Sequence, residues 1–370
     1  MLKSFAFIKG FLLISLLGSF AIAQDAGYKV ATGANEIKVM SYNAENLFDN
    51  DHDAGKNDYE FLPKAHPEKG VCEKDKNPTR KKYCLDTDWT ADKLKIKVAQ
   101  MKKAILASGS LPDVLGLTEV ENAAVTKMLA TALGYDGFYI TNGPDARGID
   151  NVILYKTTKL APAGFKEQEL KNPMFPTRNL SVAHFRIKKS FGHNAILAVY
   201  PNHWPSQASP AKSRLIAAEQ MLQFLDANER SFKGETYYAV VMGDFNTITT
   251  DSPNPINDVV LSPKTGLIDV KPLSDISANP MNGKMPPASY YYGARNDWNE
   301  LDRIFISENL NDNTGLEVDP TSFRIHAPTF LTKKNDSGMA IPYRYNHRAD
   351  NPAWAGFSDH FALVVKLKLK

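Results

Sequence analysis

Apolar and polar positions along the chain fall into two periods. Residues 37–42 alternate at the two-residue repeat of a strand, as do their successors in short apolar runs. Residues 113–118, 151–155, 182–187, 195–200, 237–242, 301–307 and 361–369 read as further strands, most of them apolar on both faces. Between them lie stretches of helical spacing. Leu94, Ile96, Val98, Met101, Ile105 and Leu106 predict a helix over 89–106, with Thr87 or Asp88 as its cap. A second helix is predicted over 123–133, closed by Gly134, and a third over 213–228. Residues 49–88 are polar and turn-rich and read as an insertion or long surface loop. Strands on both sides of helices, with apolar faces front and back, predict two packed sheets with helices outside.

The polar residues have a pattern of their own. Asn43 follows the first strand and Glu119 the second. Asn202 and His203 follow 195–200, and Asp244 and Asn246 follow 237–242. Asp302 opens 301–307, and Asp359 and His360 precede the last strand. A single carboxylate at a strand end is an ordinary turn residue. A set of them predicts a site on one rim of the sheets, where strand ends converge. In Gly243-Asp244-Phe245-Asn246 an aromatic separates two polar residues. Side chains two apart point the same way, so Asp244 and Asn246 should reach the rim while Phe245 turns back.

Composition narrows the picture. The chain has 370 residues, 43% hydrophobic and 23% charged, as a globular protein has. The N-terminus carries Lys3 and Lys9, a short apolar core over 11–17, and Ala21-Ile22-Ala23. This reads as an export signal spanning 1–23, which would leave 24–370 as a single expected domain with no membrane span. The expected location is secreted or periplasmic. Removing Lys3 and Lys9 takes the net charge from +3 to +1, so no overall positive field points to nucleic acid. Cys72 and Cys84 both lie in the 49–88 insertion. Export favours a disulfide that pins this segment; two free thiols are the alternative.

The oxygens of Glu119, Asp244, Asp302 and Asp359, with the carboxamide of Asn43, form a hard donor set suited to Mg²⁺ or Mn²⁺. His203 and His360 suit acid–base work or stabilisation of phosphoryl oxygens. The combination points to metal-assisted attack of water on a phosphate ester.

The chain resembles the endonuclease/exonuclease/phosphatase family, which shares its fold with DNase I. The resemblance is carried, in order, by the segments 41–48 (SYNAENLF), 117–120 (LTEV), 202–206 (NHWPS), 243–246 (GDFN), 299–305 (NELDRIF) and 358–361 (SDHF). It implies an α/β fold, a four-layer α-β-β-α sandwich of two packed mixed sheets with helices outside. It also implies roles: Asn43 and Glu119 as metal ligands, with Asp359 a further metal-side carboxylate. Asp244 would orient or deprotonate the attacking water, and Asn246 would position it. His203 and His360 would flank the phosphate, with Asp302 orienting His360. Arg178 matches a phosphate-contacting arginine. Asp150 is either an orienter of His203 or an ordinary strand-start residue. Ser206, Lys212 and Arg214 either shape the pocket or form a solvated loop. Tyr290, Tyr291 and Tyr292, with Arg295 and Trp298, either stack on bases or pack as a hairpin. Members of the family cleave nucleic acids, phospholipids, inositol phosphates and other phosphoesters. Export makes nucleic acid the expected substrate here. A phosphatase or a phospholipid or inositol-phosphate phosphodiesterase is the alternative, and a binding module that kept only the fold is a further one. Residues 49–88 and 331–357 are candidate substrate walls. The sequence indicates no protein partner, and a monomer is expected.

Overall fold

A computed structural model describes residues 25–191 and 194–370; the expected export signal lies outside the described residues. The N-terminal half carries β1 (Glu36–Leu47), α1 (Pro78–Asp86), α2 (Ala91–Leu106), β2 (Val114–Val120), α3 (Ala123–Leu133), β3 (Gly137–Ile140) and β4 (Asp150–Tyr155). Next come β5 (Leu160–Gln168), β6 (Leu180–Ile187), β7 (Ile196–His203), α4 (Ala211–Arg230), β8 (Tyr237–Asp244), β9 (Leu267–Asp269) and α5 (Val270–Ser274). The chain ends with β10 (Tyr290–Tyr292), β11 (Asp297–Asn299), β12 (Asp302–Ser307), β13 (Leu316–His326), β14 (Thr332–Lys334), β15 (Ala340–Pro342) and β16 (Ala362–Leu369).

Two six-stranded mixed sheets result, in the orders β13-β16-β1-β2-β4-β3 and β5-β6-β7-β8-β12-β9. Each has one parallel pair at its centre, β1 with β2 and β7 with β8, flanked by antiparallel partners. The sheets pack face to face, helices lie outside, and the expected α/β sandwich is the architecture observed. Alternation along β8 shows how. Val240 and Met242 join the larger core between the sheets. Ala239 and Val241 join a second core with Ala217, Met221 and Phe224 of α4. Gly116 on β2 makes room for the facing sheet: an added Cβ would lie 2.5 Å from Met242 Cε.

The elements depart from expectation in specific places. Thr90, not Thr87 or Asp88, caps α2. Thr87 closes α1, and Asp88 accepts from the Lys64 N–H at 2.7 Å. Residues 49–88 hold helical turns at Tyr59–Phe61 and Pro67–Lys74 and the helix α1, with a disulfide joining Cys72 and Cys84. No residue of α1 is buried, so it has no apolar stripe to betray it. Phe61 fastens the segment to the core, stacked 4.0 Å from Phe48 and edge-on to Trp89. The 11-residue β13 escapes the pattern because its register breaks between Asp319 and Arg324. Among the described residues no helix is long and apolar enough to cross a membrane.

Candidate active site

The site lies where the inner faces of the two sheets open at one end. His203, Asp244 and Asp302 sit side by side on β7, β8 and β12, in direct register. Asp244 is two residues beyond Met242, so the alternation that buries Met242 between the sheets aims the carboxylate at the same gap. Gly243 permits this: its φ is +139°, and a Cβ would lie 2.0 Å from the Asn202 carbonyl oxygen of the neighbouring parallel strand. Phe245 turns the other way and packs edge-on against Trp204 and Phe305, at 4.9 and 5.1 Å.

The opposite wall is shaped by an irregularity. β1 and β2 lose register after Asn43 and Thr118, and Glu45, Asn46 and Glu119 all adopt positive φ there. Side chains rarely tolerate that conformation, and such bends collect where a strand re-aims a residue. The Asn46 N–H donates to Glu119 Oε2 at 3.1 Å and fixes the carboxylate at the rim.

Asp244 is the hub. Its Oδ1 accepts from the Asn246 N–H at 2.9 Å, and its Oδ2 accepts from Asn43 Nδ2 at 3.1 Å. The same Oδ2 stands 3.8 Å from His203 Nε2 and 3.9 Å from His360 Nε2. His360 Nδ1 bonds to Asp302 Oδ2 at 2.6 Å, and its ring lies 4.8 Å from that of Tyr290. Glu119 Oε1 is 3.8 Å from His203 Nε2, and Asp359 Oδ1 is 3.9 Å from His360 Nε2.

These neighbours push the histidines apart. Burial holds His203 well below its ordinary range, and Arg178, Arg147 and His360 add to the effect. Burial also opposes the charged form of His360, but Asp302, Asp244 and Asp359 together outweigh it and raise His360 well above its usual value. Burial lifts Asp244 to about 7, His360 pulling it down and Asp302 and Glu119 adding to the rise. Burial raises Asp359 too, with His360 and Arg344 opposing and Glu119 contributing. One carboxylate thus stands between a neutral imidazole and an imidazolium, an arrangement that separates base from acid.

Among the described residues no three His, Cys, Asp or Glu side chains by themselves enclose an ion. Glu119 and Asp359 fit a more open site. Both line the cleft, neither side chain has a cation within 3.5 Å, and Glu119 raises the charging cost of Asp359. A Mg²⁺ ion takes one or two carboxylates and completes its shell with water and substrate oxygens.

Three expected residues take different places. Asp150 does not reach His203: its Oδ1 accepts from Thr141 Oγ1 at 2.5 Å and the Gly143 N–H at 2.9 Å, and His203 Nδ1 has no partner. Asn43 is buried behind Asp244, its Oδ1 accepting from the Glu45 N–H at 2.9 Å. Its carboxamide ties the sheets together rather than facing the cleft. Arg178 lines the cleft but is only 6% exposed. It donates to the carbonyls of His203 and Trp204 and to Asp145 Oδ2, pinning the strand end that carries His203. Of the residues after His203, Ser206 borders the cleft, while Lys212 and Arg214 lie on α4, where Arg214 is buried and tied to Asp251 at 2.7 Å. The tyrosines divide by alternation: Tyr290 and Tyr292 line the cleft, while Tyr291 packs edge-on against Trp298. Arg147, which periodicity could not single out in its loop, lies beside Glu119. The cleft holds about 820 Å³.

A family model described as "Endonuclease/Exonuclease/phosphatase family" matches residues 38–369. No curated protein matches the chain. Solved structures share the fold. The human Nocturnin catalytic domain with bound sulfate is 17% identical, with 92% of this chain and 97% of that one covered and a TM-score of 0.51. An endonuclease/exonuclease/phosphatase family protein from Bacteroides thetaiotaomicron is 16% identical, with 90% and 98% covered and a TM-score of 0.51. Truncated Caenorhabditis elegans TDP2 is 14% identical, with 90% and 97% covered and a TM-score of 0.50.

Proposed function

Because the chain belongs to the endonuclease/exonuclease/phosphatase family, a family of phosphoester hydrolases, we propose that it is a divalent-metal-dependent phosphodiesterase acting on nucleic acid. The observation that carries this reading is the convergence of His203 and His360, their Nε2 atoms 3.8 and 3.9 Å from Asp244 Oδ2, with Glu119 and Asp359 beside them. In it, Asp244 accepts the proton of the attacking water, and Asn246, whose Nδ2 donates to the Trp204 carbonyl at 3.1 Å, holds that water through its Oδ1. His360, kept in orientation by Asp302, donates to a phosphoryl oxygen as negative charge builds, and as the P–O bond to the leaving group breaks the departing oxygen takes a proton from solvent. His203 is the neutral partner on the other side. A Mg²⁺ or Mn²⁺ ion at Glu119 and Asp359, when bound, supplies Lewis-acid stabilisation of the phosphoryl charge.

Nucleic acid suits the walls. Tyr290, Tyr292 and Phe175 line the cleft as aromatic residues, and Arg147 and Arg295 as cations, Arg295 lying 5.1 Å over the Tyr292 ring. With the 1–23 signal removed, the enzyme works as a monomer in the periplasm or outside the cell. The test is hydrolysis by the purified mature chain with Mg²⁺, Mn²⁺ or EDTA. Substrates would be plasmid DNA, single-stranded DNA, RNA, bis-p-nitrophenyl phosphate, p-nitrophenyl phosphate and a phospholipid. Cleavage of nucleic acid that EDTA abolishes is expected. Activity confined to the monoester or the lipid would replace the substrate, and silence throughout would favour a binding module.

A further inference from the structure

Of the three arginines that line the cleft, Arg147, Arg178 and Arg295, the first two are in different states. Arg178 spends three of its N–H groups on protein acceptors and is 6% exposed. Arg147 is not held in this way. Its side chain is 45% exposed. Among the described residues its one side-chain hydrogen bond to another side chain runs from Nη1 to Asn46 Oδ1 at 3.3 Å. Nη2 stands 4.0 Å from Glu119 Oε1 and Nε 4.0 Å from Asp145 Oδ1, both beyond hydrogen-bond reach. A planar fork with unused donors, next to a rim carboxylate, is suited to gripping phosphate oxygens.

The backbone beneath Arg147 is built to hold it there. Its own N–H donates to Asp145 Oδ1 at 2.9 Å, and Asp145 Oδ2 takes Arg178 at 3.2 Å. From the 49–88 segment, Lys56 Nζ donates to the carbonyls of Gly143 and Asp145, both at 3.0 Å. The Asn57 N–H donates to the Ala146 carbonyl at 2.7 Å. The loop is thus fastened on both sides of a half-exposed guanidinium.

Building on the phosphodiesterase reading, we propose that Arg147 binds the phosphate next to the scissile one. Asp244 and the two histidines surround the reacting phosphate, and Arg147 lies one step out, past Glu119. The substrate class this selects is a chain with successive phosphodiesters, not an isolated phosphate ester. Arg178 then serves as the positioning residue for His203, and the guanidinium that meets substrate is Arg147.

The test separates binding from turnover. Binding of a fluorescein-labelled single-stranded oligodeoxynucleotide is measured by anisotropy in EDTA across a salt series, for the full mature chain and for Arg147→Met and Arg147→Lys. Hydrolysis of the same oligonucleotide and of bis-p-nitrophenyl phosphate with Mg²⁺ is run beside it. Arg147→Met should weaken oligonucleotide binding about tenfold. The slope of log affinity against log salt should become shallower by about 0.7, with Arg147→Lys keeping most of the slope. KM for the oligonucleotide should rise several times more than KM for bis-p-nitrophenyl phosphate. An unchanged slope and affinity in Arg147→Met overturns the inference, as does an equal rise of KM on both substrates. Failure of the unaltered chain to bind the oligonucleotide also overturns it. Binding with the expected slope change but no hydrolysis by the unaltered chain would leave Arg147 as assigned and sink the phosphodiesterase reading instead.

Discussion

At the scale of residues, the account rests on how neighbours set protonation. Asp302 bonds His360 at 2.6 Å and is the leading force against the burial that would discharge it. Asp302→Asn removes that charge while keeping the shape. The His360 titration followed by NMR should move down toward the ordinary histidine range, and kcat should fall by about a hundredfold or more. An unmoved titration would show that Asp302 does not hold the cation. Most of these residues were legible because each stands at the edge of an apolar strand: Glu119, His203, Asp244, Asn246, Asp302, Asp359 and His360 all come to one rim. Asp150 sits at the edge of β4 by the same rule, yet its strand end is capped by Thr141 and Gly143. Sequence places a residue on a strand; it does not say which neighbour takes its lone pairs. Arg147 was the harder case, because a loop has no period to reveal where a side chain will arrive.

At the scale of elements, alternation and helical spacing located the central strands and the three outer helices α2, α3 and α4. It was less informative where burial is one-sided or broken. β5 is largely exposed and β13 is interrupted by its bulge, so neither presents a clean repeat. The 49–88 segment was read as loop because its helical turns bury only Phe61, Lys69 and Cys72 and α1 buries nothing, so no apolar period marks them; Phe61 and the Cys72–Cys84 bridge fasten the segment. Closing a loop of this size contributes about 2–4 kcal/mol through the unfolded chain. Replacing both cysteines by serine should lower the free energy of denaturant unfolding by that order. Hydrolysis of bis-p-nitrophenyl phosphate should persist, since neither cysteine lines the cleft. An unaltered unfolding midpoint would mean that the segment is held by Phe61 and its packing alone.

At the scale of the molecule, two sheets closing on one another bury titratable groups as well as apolar ones. His347 sits among Phe61, Trp89 and Tyr345, and burial drives it down to about 3, with Lys97 adding to the shift. Unfolded, the imidazole takes up its proton near 6.5; folded, it resists until about 3. Its contribution is therefore complete above pH 6.5 and is lost as pH falls through that window, by about 1.4 kcal/mol per pH unit. His347→Phe should lower the acid sensitivity of urea unfolding by that slope between pH 6 and about 4. Parallel pH profiles for both proteins would contradict the burial argument. The central claim, that the rim between the sheets is a phosphodiesterase site organised by Asp244, has its own direct test. It is the rate of single-stranded DNA hydrolysis by the mature chain with Mg²⁺, compared with Asp244→Asn and with EDTA. The account predicts measurable turnover that EDTA removes, and a fall of about a thousandfold or more in the variant with its melting temperature retained. Turnover that survives in a folded Asp244→Asn protein would contradict it.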